Sequence, residues 1–151
     1  MLQAVDELLR SQSTMVLSTC DGAGQAHATP LFYLSGAELE LYWFSSRTSL
    51  HSRNVEVVPE VSAAIHVPTE RWQEIRGVLM RGSVERVTNR LRRKEISREY
   101  RERFQLGDLF GVAMARSSLY VLRPRWIRYL DNTRHFGFKF ETDLPILQKE
   151  Q

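Results

Sequence analysis

The sequence predicts an α+β fold that is mainly β: an antiparallel barrel of six to seven strands with flanking helices. Three observations lead there. Short β-rich runs bounded by Gly, Pro, Asp and Ser recur along the chain, the first of them at hairpin spacing. Gly77 and Gly82 stand inside the longest run, where glycine marks a bulge, a bend or a close approach, so the sheet curls. Only two or three helical patterns interrupt the strands, and strands in hairpin order with few helices close into a barrel. At 151 residues the chain fits one domain, read as residues 1–140 with a tail at 141–151; two domains would each be small for a stable core.

Residues Leu2–Arg10 put Leu2, Val5 and Leu9 on one side of a helical wheel, a short amphipathic helix over the end of a core. Met15–Cys20 is a β-rich run, and Asp21–Gly24 supplies its turn. Gln25–Leu34 forms the next strand, and Ser35-Gly36 a second turn. Glu38–Leu41 alternates cleanly into Tyr42-Trp43-Phe44, completing an antiparallel meander. A polar stretch from Ser45 to Val58 then breaks the pattern. Leu50, Asn54 and Val57 or Val58 share one face of a short helix there, closed by Pro59. Val61–Val67 is a strand ended by Pro68, and Glu74–Val87 is long and mostly extended. Asn89–Leu106 is the strongest helix, with Ile96, Tyr100 and Phe104 every four residues and Glu99 four before Arg103. Leu119–Leu130 returns to strand, with Pro124 marking an edge or a break. A polar turn and a short aromatic strand, Phe136–Phe140, finish the domain.

Hydrophobic content of 42% and charged content of 26% are ordinary for a globular protein. No stretch approaches the roughly 20 apolar residues that span a bilayer. The first ten residues carry acids where a signal peptide needs an apolar run. The one cysteine, Cys20, excludes an internal disulfide, and these features together predict a cytoplasmic protein. The net charge of +3 is uneven: Arg90–Arg103 holds seven basic and three acidic residues. Such a run is usually a solvated helix face, and its functional reading is contact with phosphate or nucleic acid.

Phosphate-loop, dinucleotide, serine-hydrolase and zinc-protease motifs are absent, and His27, His51, His66 and His135 lack metal-ligand spacing. The segment Ser45-Ser46-Arg47-Thr48-Ser49-Leu50-His51-Ser52-Arg53 is different. Hydroxyls, guanidinium groups and free backbone N–H groups at a strand-to-helix junction suit a phosphate monoester. The same residues also cap a helix and solvate a loop.

The order of Met15–Cys20, the Asp-Gly turn, Ala28–Tyr33, Leu39–Phe44 and the Ser/Arg-rich turn before Pro59 resembles the FMN-binding split β-barrel of the pyridoxamine-5'-phosphate-oxidase-like superfamily. Ile75–Val87, with its glycines and the helix after it, is similar to the long strand of that fold. Arg76-Gly77-Val78, Asp131-Asn132-Thr133 and Phe136–Lys139 look like the uncharacterised bacterial YhbP-like branch. The resemblance covers Leu8 to Phe140 and rests on order and spacing rather than on any one motif.

The resemblance implies a homodimer with FMN at its interface. Ser45, Ser46, Arg47, Ser49 and His51 fall where the superfamily holds the phosphate. Thr48-Ser49-Leu50 departs from the usual Ser-Arg/Lys-Lys run. Thr29 and Pro30 correspond to contacts of the ring or ribityl chain. Trp72, Arg76 and Gly77 lie where the opposite protomer closes over the cofactor, and Trp126 and Arg128 in the last long strand. Arg76 and the partner's Lys139 are the candidates for stabilising the reduced flavin. Each has a plainer reading: strand residues for Thr29 and Pro30, core or interface for Trp126, a helix surface for His51. Asp131-Asn132-Thr133 reads equally as a turn or as a site edge. The expected function is an FMN-dependent oxidoreductase acting on a small molecule. The alternatives are a flavin- or heme-binding barrel without turnover, or an interaction barrel using helix 90–103.

Overall fold

A computed structural model describes residues 1–146. The elements in chain order are α1 (Leu2–Ser11), β1 (Thr14–Cys20), β2 (Ala26–Phe32), β3 (Leu34–Ser35), β4 (Leu41–Ser45), α2 (Leu50–Val57), β5 (Glu60–His66), β6 (Arg76–Arg86), α3 (Arg90–Phe104), α4 (Asp108–Arg116), β7 (Ser118–Asp131) and β8 (Lys139–Asp143). All strand pairs are antiparallel, in the order β2-β1-β5-β6-β7-β4-β3, with β8 paired to β7. Tyr33 alone separates β2 from β3, so the two ends of that path belong to one bent strand and the sheet curls back onto itself. Tyr33 secures the bend: its N–H donates to Ser13 O at 3.0 Å and its hydroxyl to Leu9 O at 2.6 Å. This is the α+β split barrel that the sequence predicted.

The split lies along β7. Its first half pairs with β4 as far as Leu122, and its second half pairs with β8 from Trp126. Residues 123–125 belong to neither ladder, although Arg125 O accepts from Leu144 N at 2.8 Å, and across the strand the register with β6 shifts at Arg81/Gly82. Pro124 sits in this gap, where a missing N–H and an irregular backbone are tolerated. The expected edge or break at Pro124 is therefore corrected: β7 is continuous and central, and the proline marks its change of partner.

The interior of the barrel is filled by Met15, Leu17, Trp43, Val61, Ile65, Val78, Met80, Tyr120, Leu122, Ile127 and their neighbours. Alternate residues of each strand face inward, so one register serves the whole core. A second cluster outside the barrel seats α3 and α4, with Ile96, Tyr100 and Met114 packed on Leu34, Tyr42, Leu119 and Val121. A buried carboxylate, Glu40, ties α3 to the sheet: Tyr42 OH donates to it at 2.6 Å, and Arg123 Nε lies 3.4 Å away. Arg92 in turn donates to Tyr42 OH at 2.9 Å.

Several local expectations change. The clean alternation at Glu38–Leu41 is not all strand: Ala37–Leu39 is a 3-10 turn in which Glu38 (φ 53°) and Leu39 (φ 63°) are left-handed. Leu39 still points into the core, which is why the pattern imitates a strand. Helix α1 buries Val5, Leu8 and Leu9, leaving the expected Leu2 exposed. Helix α2 buries Ser52, Asn54 and Val55, whereas Leu50 and Val57 face out. Helix α4 has no counterpart in the sequence reading. The final strand begins at Lys139 rather than Phe136, and its pairing continues to Asp143. Of the expected tail, residues 147–151 lie outside the described residues.

Candidate functional site

The Ser/Arg-rich segment forms a compact cluster where β4 ends and α2 begins. Ser49 is the N-cap of α2, its Oγ accepting from Ser52 N at 3.3 Å, as the helix start requires. Ser49 Oγ also lies 3.2 Å from His51 Nε2 and donates to Ser52 Oγ at 2.8 Å. Ser45 Oγ stands 2.6 Å from His51 Nε2, and Ser46 Oγ 2.9 Å from Thr48 Oγ1. Burial holds the His51 imidazole below its ordinary pKa, which keeps it neutral near pH 7. Arg47 reaches across the helix to Glu56 at 3.3 Å, both side chains about half exposed. Arg53 is exposed, with no ion pair among the described residues. Thus Ser45, Ser46, Ser49 and His51 come together, with the cations of Arg47 and Arg53 on the adjoining surface.

Trp72, Arg76, Gly77 and Lys139 lie elsewhere. Ser45 pairs with Ser118 at the start of β7, whereas Arg76 pairs with Asp131 at its end. At about 3.3 Å per residue the two places are on the order of 40 Å apart along that strand. One protomer does not bring these residues together with the Ser45–His51 cluster. Thr29 pairs with the buried Leu17 and so faces the interior, while Pro30 pairs with Val16 on the outside.

The outer face of the sheet is ordered in rows. His66, Gly77, Leu130 and Lys139 stand side by side across β5 to β8. Pro30, Val16, Ala64, Leu79, Arg128 and Glu141 form the next row, and Ala28, Ser18, Ser62, Arg81, Trp126 and Asp143 the third. Small residues occupy the centre. Beside them a shallow cavity of about 410 Å³ is bounded by Ser18, Ser62, Leu79, Arg81, Trp126 and Arg128. The Arg81 guanidinium lies 4.2 Å from the Trp126 ring centre and that of Arg128 5.4 Å, while Arg128 also pairs with Glu141 at 2.7 Å. Nothing in the local sequence marks Arg81; its place opposite Trp126 follows only from the register.

Near the end of β7, Asp131 is buried and fully used: Thr133 Oγ1 donates at 2.5 Å, Tyr129 OH at 2.9 Å and Arg134 Nε at 3.2 Å. Burial alone would raise its carboxyl, but these donors outweigh burial and hold it below the ordinary aspartate range. Asp131-Asn132-Thr133 thus forms a turn. On α3, Arg92 pairs with Glu95, Arg93 donates to the carbonyls of Met114 and Ser117, and Arg101 pairs with Asp108. Much of the basic run therefore fastens α4 and the helix itself. Among the described residues no three His, Cys, Asp or Glu side chains converge as metal ligands, and no helix is long and apolar enough to cross a membrane.

The family model described as pyridoxamine 5'-phosphate oxidase matches residues 1–131, and the chain belongs to that family. No curated protein matches it significantly. Among solved structures it is similar to the conserved hypothetical protein Rv2991 from Mycobacterium tuberculosis, with a TM-score of 0.79 and 19% identity over 100% of this chain and 92% of that one. HutZ, the heme storage protein from Vibrio cholerae, superposes with a TM-score of 0.68 at 19% identity over 81% of this chain and 88% of that one. A heme-binding protein from Mycobacterium smegmatis gives 0.72 at 19% identity over 91% and 55%. At these identities the structural likeness speaks for the fold.

Proposed function

We propose that the chain binds FMN as a homodimer and acts as an oxidoreductase on a small molecule at the dimer interface. The observation that carries the reading is the cluster at Ser45–Arg53. Its donor set fits a phosphate monoester: hydroxyls of Ser45, Ser46 and Ser49, the N–H groups of the first turn of α2, and the guanidinium groups of Arg47 and Arg53. Family membership makes FMN the phosphate ester to test first. When bound, the flavin supplies the redox chemistry, and the protein holds and orients it. Pro30 and the outer face of β2 are offered to the ring side. The partner's Trp72, Arg76, Gly77 and Lys139 complete the enclosure, and Trp126 lies within the buried face.

A second reading has a specific observation behind it. His66 is exposed on the outer face and stands beside Gly77, which sets no side chain next to it. Leu79 and Leu130 lie next to them in the rows. A heme held there with His66 as its iron ligand agrees with the heme-binding structures that share the fold.

One set of measurements separates the readings. Protein mixed with excess FMN, then freed of unbound ligand, should keep the visible spectrum of oxidised flavin, and its mass should be that of a dimer. Arg47→Ala should weaken FMN binding about tenfold or more, the worth of a charged hydrogen bond to phosphate. A monomeric mass, or an Arg47→Ala variant that binds as the parent does, overturns the flavin reading. A Soret band on adding hemin that disappears in His66→Ala supports the second.

A further inference from the structure

At the far end of β7 two aromatic rings stand in solvent. Trp72 is 57% exposed and Phe136 78%, against a chain whose other two tryptophans are at least partly buried. What sets these two apart from the scattered exposed apolar side chains elsewhere is that they touch and form one patch. The two rings meet edge to face with centroids 5.3 Å apart. Asn132 fixes the segments that carry them: its Nδ2 donates to Trp72 O at 2.8 Å, its N–H to Ile75 O at 2.9 Å, and its Oδ1 accepts from Gly137 N at 3.1 Å. Ile75, also exposed, adjoins them in sequence. The platform is thus held by backbone bonds on both sides and does not depend on the rings finding each other.

Its charge is one-sided. Residues 71–76 and 134–139 carry Arg71, Arg76, Arg134 and Lys139 against Glu74, an excess equal to the whole chain's net +3. Arg71 is paired with Glu74 and Arg134 with Asp131. Arg76 and Lys139 have no ion pair among the described residues, and Arg76 stands opposite Asp131 in the ladder, next to the Asn132 that fixes the two segments. An apolar corner of two rings set edge to face, on segments that carry cations with no ion pair, matches one ligand chemistry: a planar ring bearing an anionic group.

We infer that Trp72 and Phe136 form a binding platform for a planar aromatic carboxylate, with Arg76 as the cation that meets its charge. As an identification of the substrate class this rests on the flavin reading above, in which the same platform closes over the partner's cofactor. As a binding site it stands without flavin, and the test is therefore run on flavin-free protein.

The probe is 2-naphthoate, followed by the Trp72 indole N–H resonance in a proton–nitrogen correlation spectrum and by tryptophan fluorescence. Titration should shift the Trp72 resonance and leave that of the buried Trp43 in place. Trp72→Ala and Phe136→Ser, both at exposed positions where the fold is not at stake, should each weaken binding about tenfold. Arg76→Met should abolish the preference for 2-naphthoate over the neutral 2-naphthalenemethanol. Equal affinity of the parent for the two probes, or unchanged affinity in Trp72→Ala, overturns the proposal. If 2-naphthoate binds as expected while FMN does not, the site stands and the flavin reading fails. If FMN binds and 2-naphthoate does not, the reverse holds.

Discussion

Gly82→Ala is the sharpest test of how the barrel is split. Gly82 faces Pro124 at the register shift, and a Cβ built there would lie 2.0 Å from Arg123 O, 2.8 Å from Arg123 C and 2.8 Å from Pro124 Cα. Carbon atoms settle at about 3.5–4.0 Å, so the overlap exceeds roughly 1 Å. All three atoms are backbone, and no rotamer change relieves the contact. β6 and β7, the longest ladder in the sheet, must part locally. Overpacking costs about 1–3 kcal/mol where neighbours yield, and backbone neighbours put this case at about 3 kcal/mol. At roughly 2–4 °C per kcal/mol for a chain of this size, the melting temperature should fall by about 6–12 °C. Gly107→Ala is the internal control, since nothing lies within 4 Å of its added Cβ and its φ of −76° is open to any residue. Gly107 is the N-cap of α4, where alanine is the poorer residue, so this control should lose no more than about 1 kcal/mol. Urea melts of the three proteins give the comparison. A Gly82→Ala midpoint no lower than that of Gly107→Ala would refute the account of the bulge as a close backbone approach.

Two further outcomes follow from buried polar groups. Glu40→Ala removes the acceptor shared by Tyr42 and Arg123 and should cost about 2–4 kcal/mol by urea melt, because partners left buried keep their desolvation penalty; Tyr42, whose hydroxyl is pushed up to about 12 first by burial and then by Glu40, should become easier to ionise. For His51, burial depresses the folded pKa below the unfolded value of 6.5, so the unfolded chain takes up the proton first. Stability is therefore full above pH 6.5 and is lost as pH falls from there to the depressed folded value. His51→Gln should remove that part of the pH dependence. Parallel slopes for the two proteins below pH 6.5 would show that the imidazole is not desolvated.

The fold was legible where a single local signal decided it. Met15–Cys20, Val61–Val67 and the Ile96–Tyr100–Phe104 stripe are strands and helix because burial on one face repeats with the right period. The signal failed where two structures share a pattern. Glu38–Leu41 alternates because Leu39 and Leu41 both reach the core, although a left-handed turn joins them. Pro124 was read from its own chemistry, which cannot say that the neighbouring strand changes there. Helix α4 hides because Leu109 and Val112 face solvent and only Met114 is buried, leaving no apolar periodicity to find. Among site residues, the Ser45–His51 cluster is local in sequence and was visible. The rows that put Arg81 against Trp126 and His66 beside Gly77 are long-range register, which no single segment encodes.

The length of β7 bears directly on the flavin reading. The Ser45–His51 cluster adjoins one end of that strand and Arg76 the other, a separation on the order of 40 Å that no mononucleotide spans. A single copy can supply one half of the proposed enclosure and not both. In the proposed dimer, a two-fold axis lying in the plane of the outer face and perpendicular to the strands reverses the strand direction of the second copy, carrying its Arg76 end toward the first copy's Ser45 end. In the proposed dimer the centre of that face suits close approach, because Ser18, Ser62 and Ala64 have short side chains there. Arg81 and Asp143, in the same row and without ion pairs among the described residues, supply opposite charges that such an axis can bring together. Under the proposed function, flavin binding and dimerisation are one equilibrium rather than two. Leu79→Arg, a charge placed at the centre of the face, must lower FMN affinity even though Leu79 belongs to neither half of the enclosure.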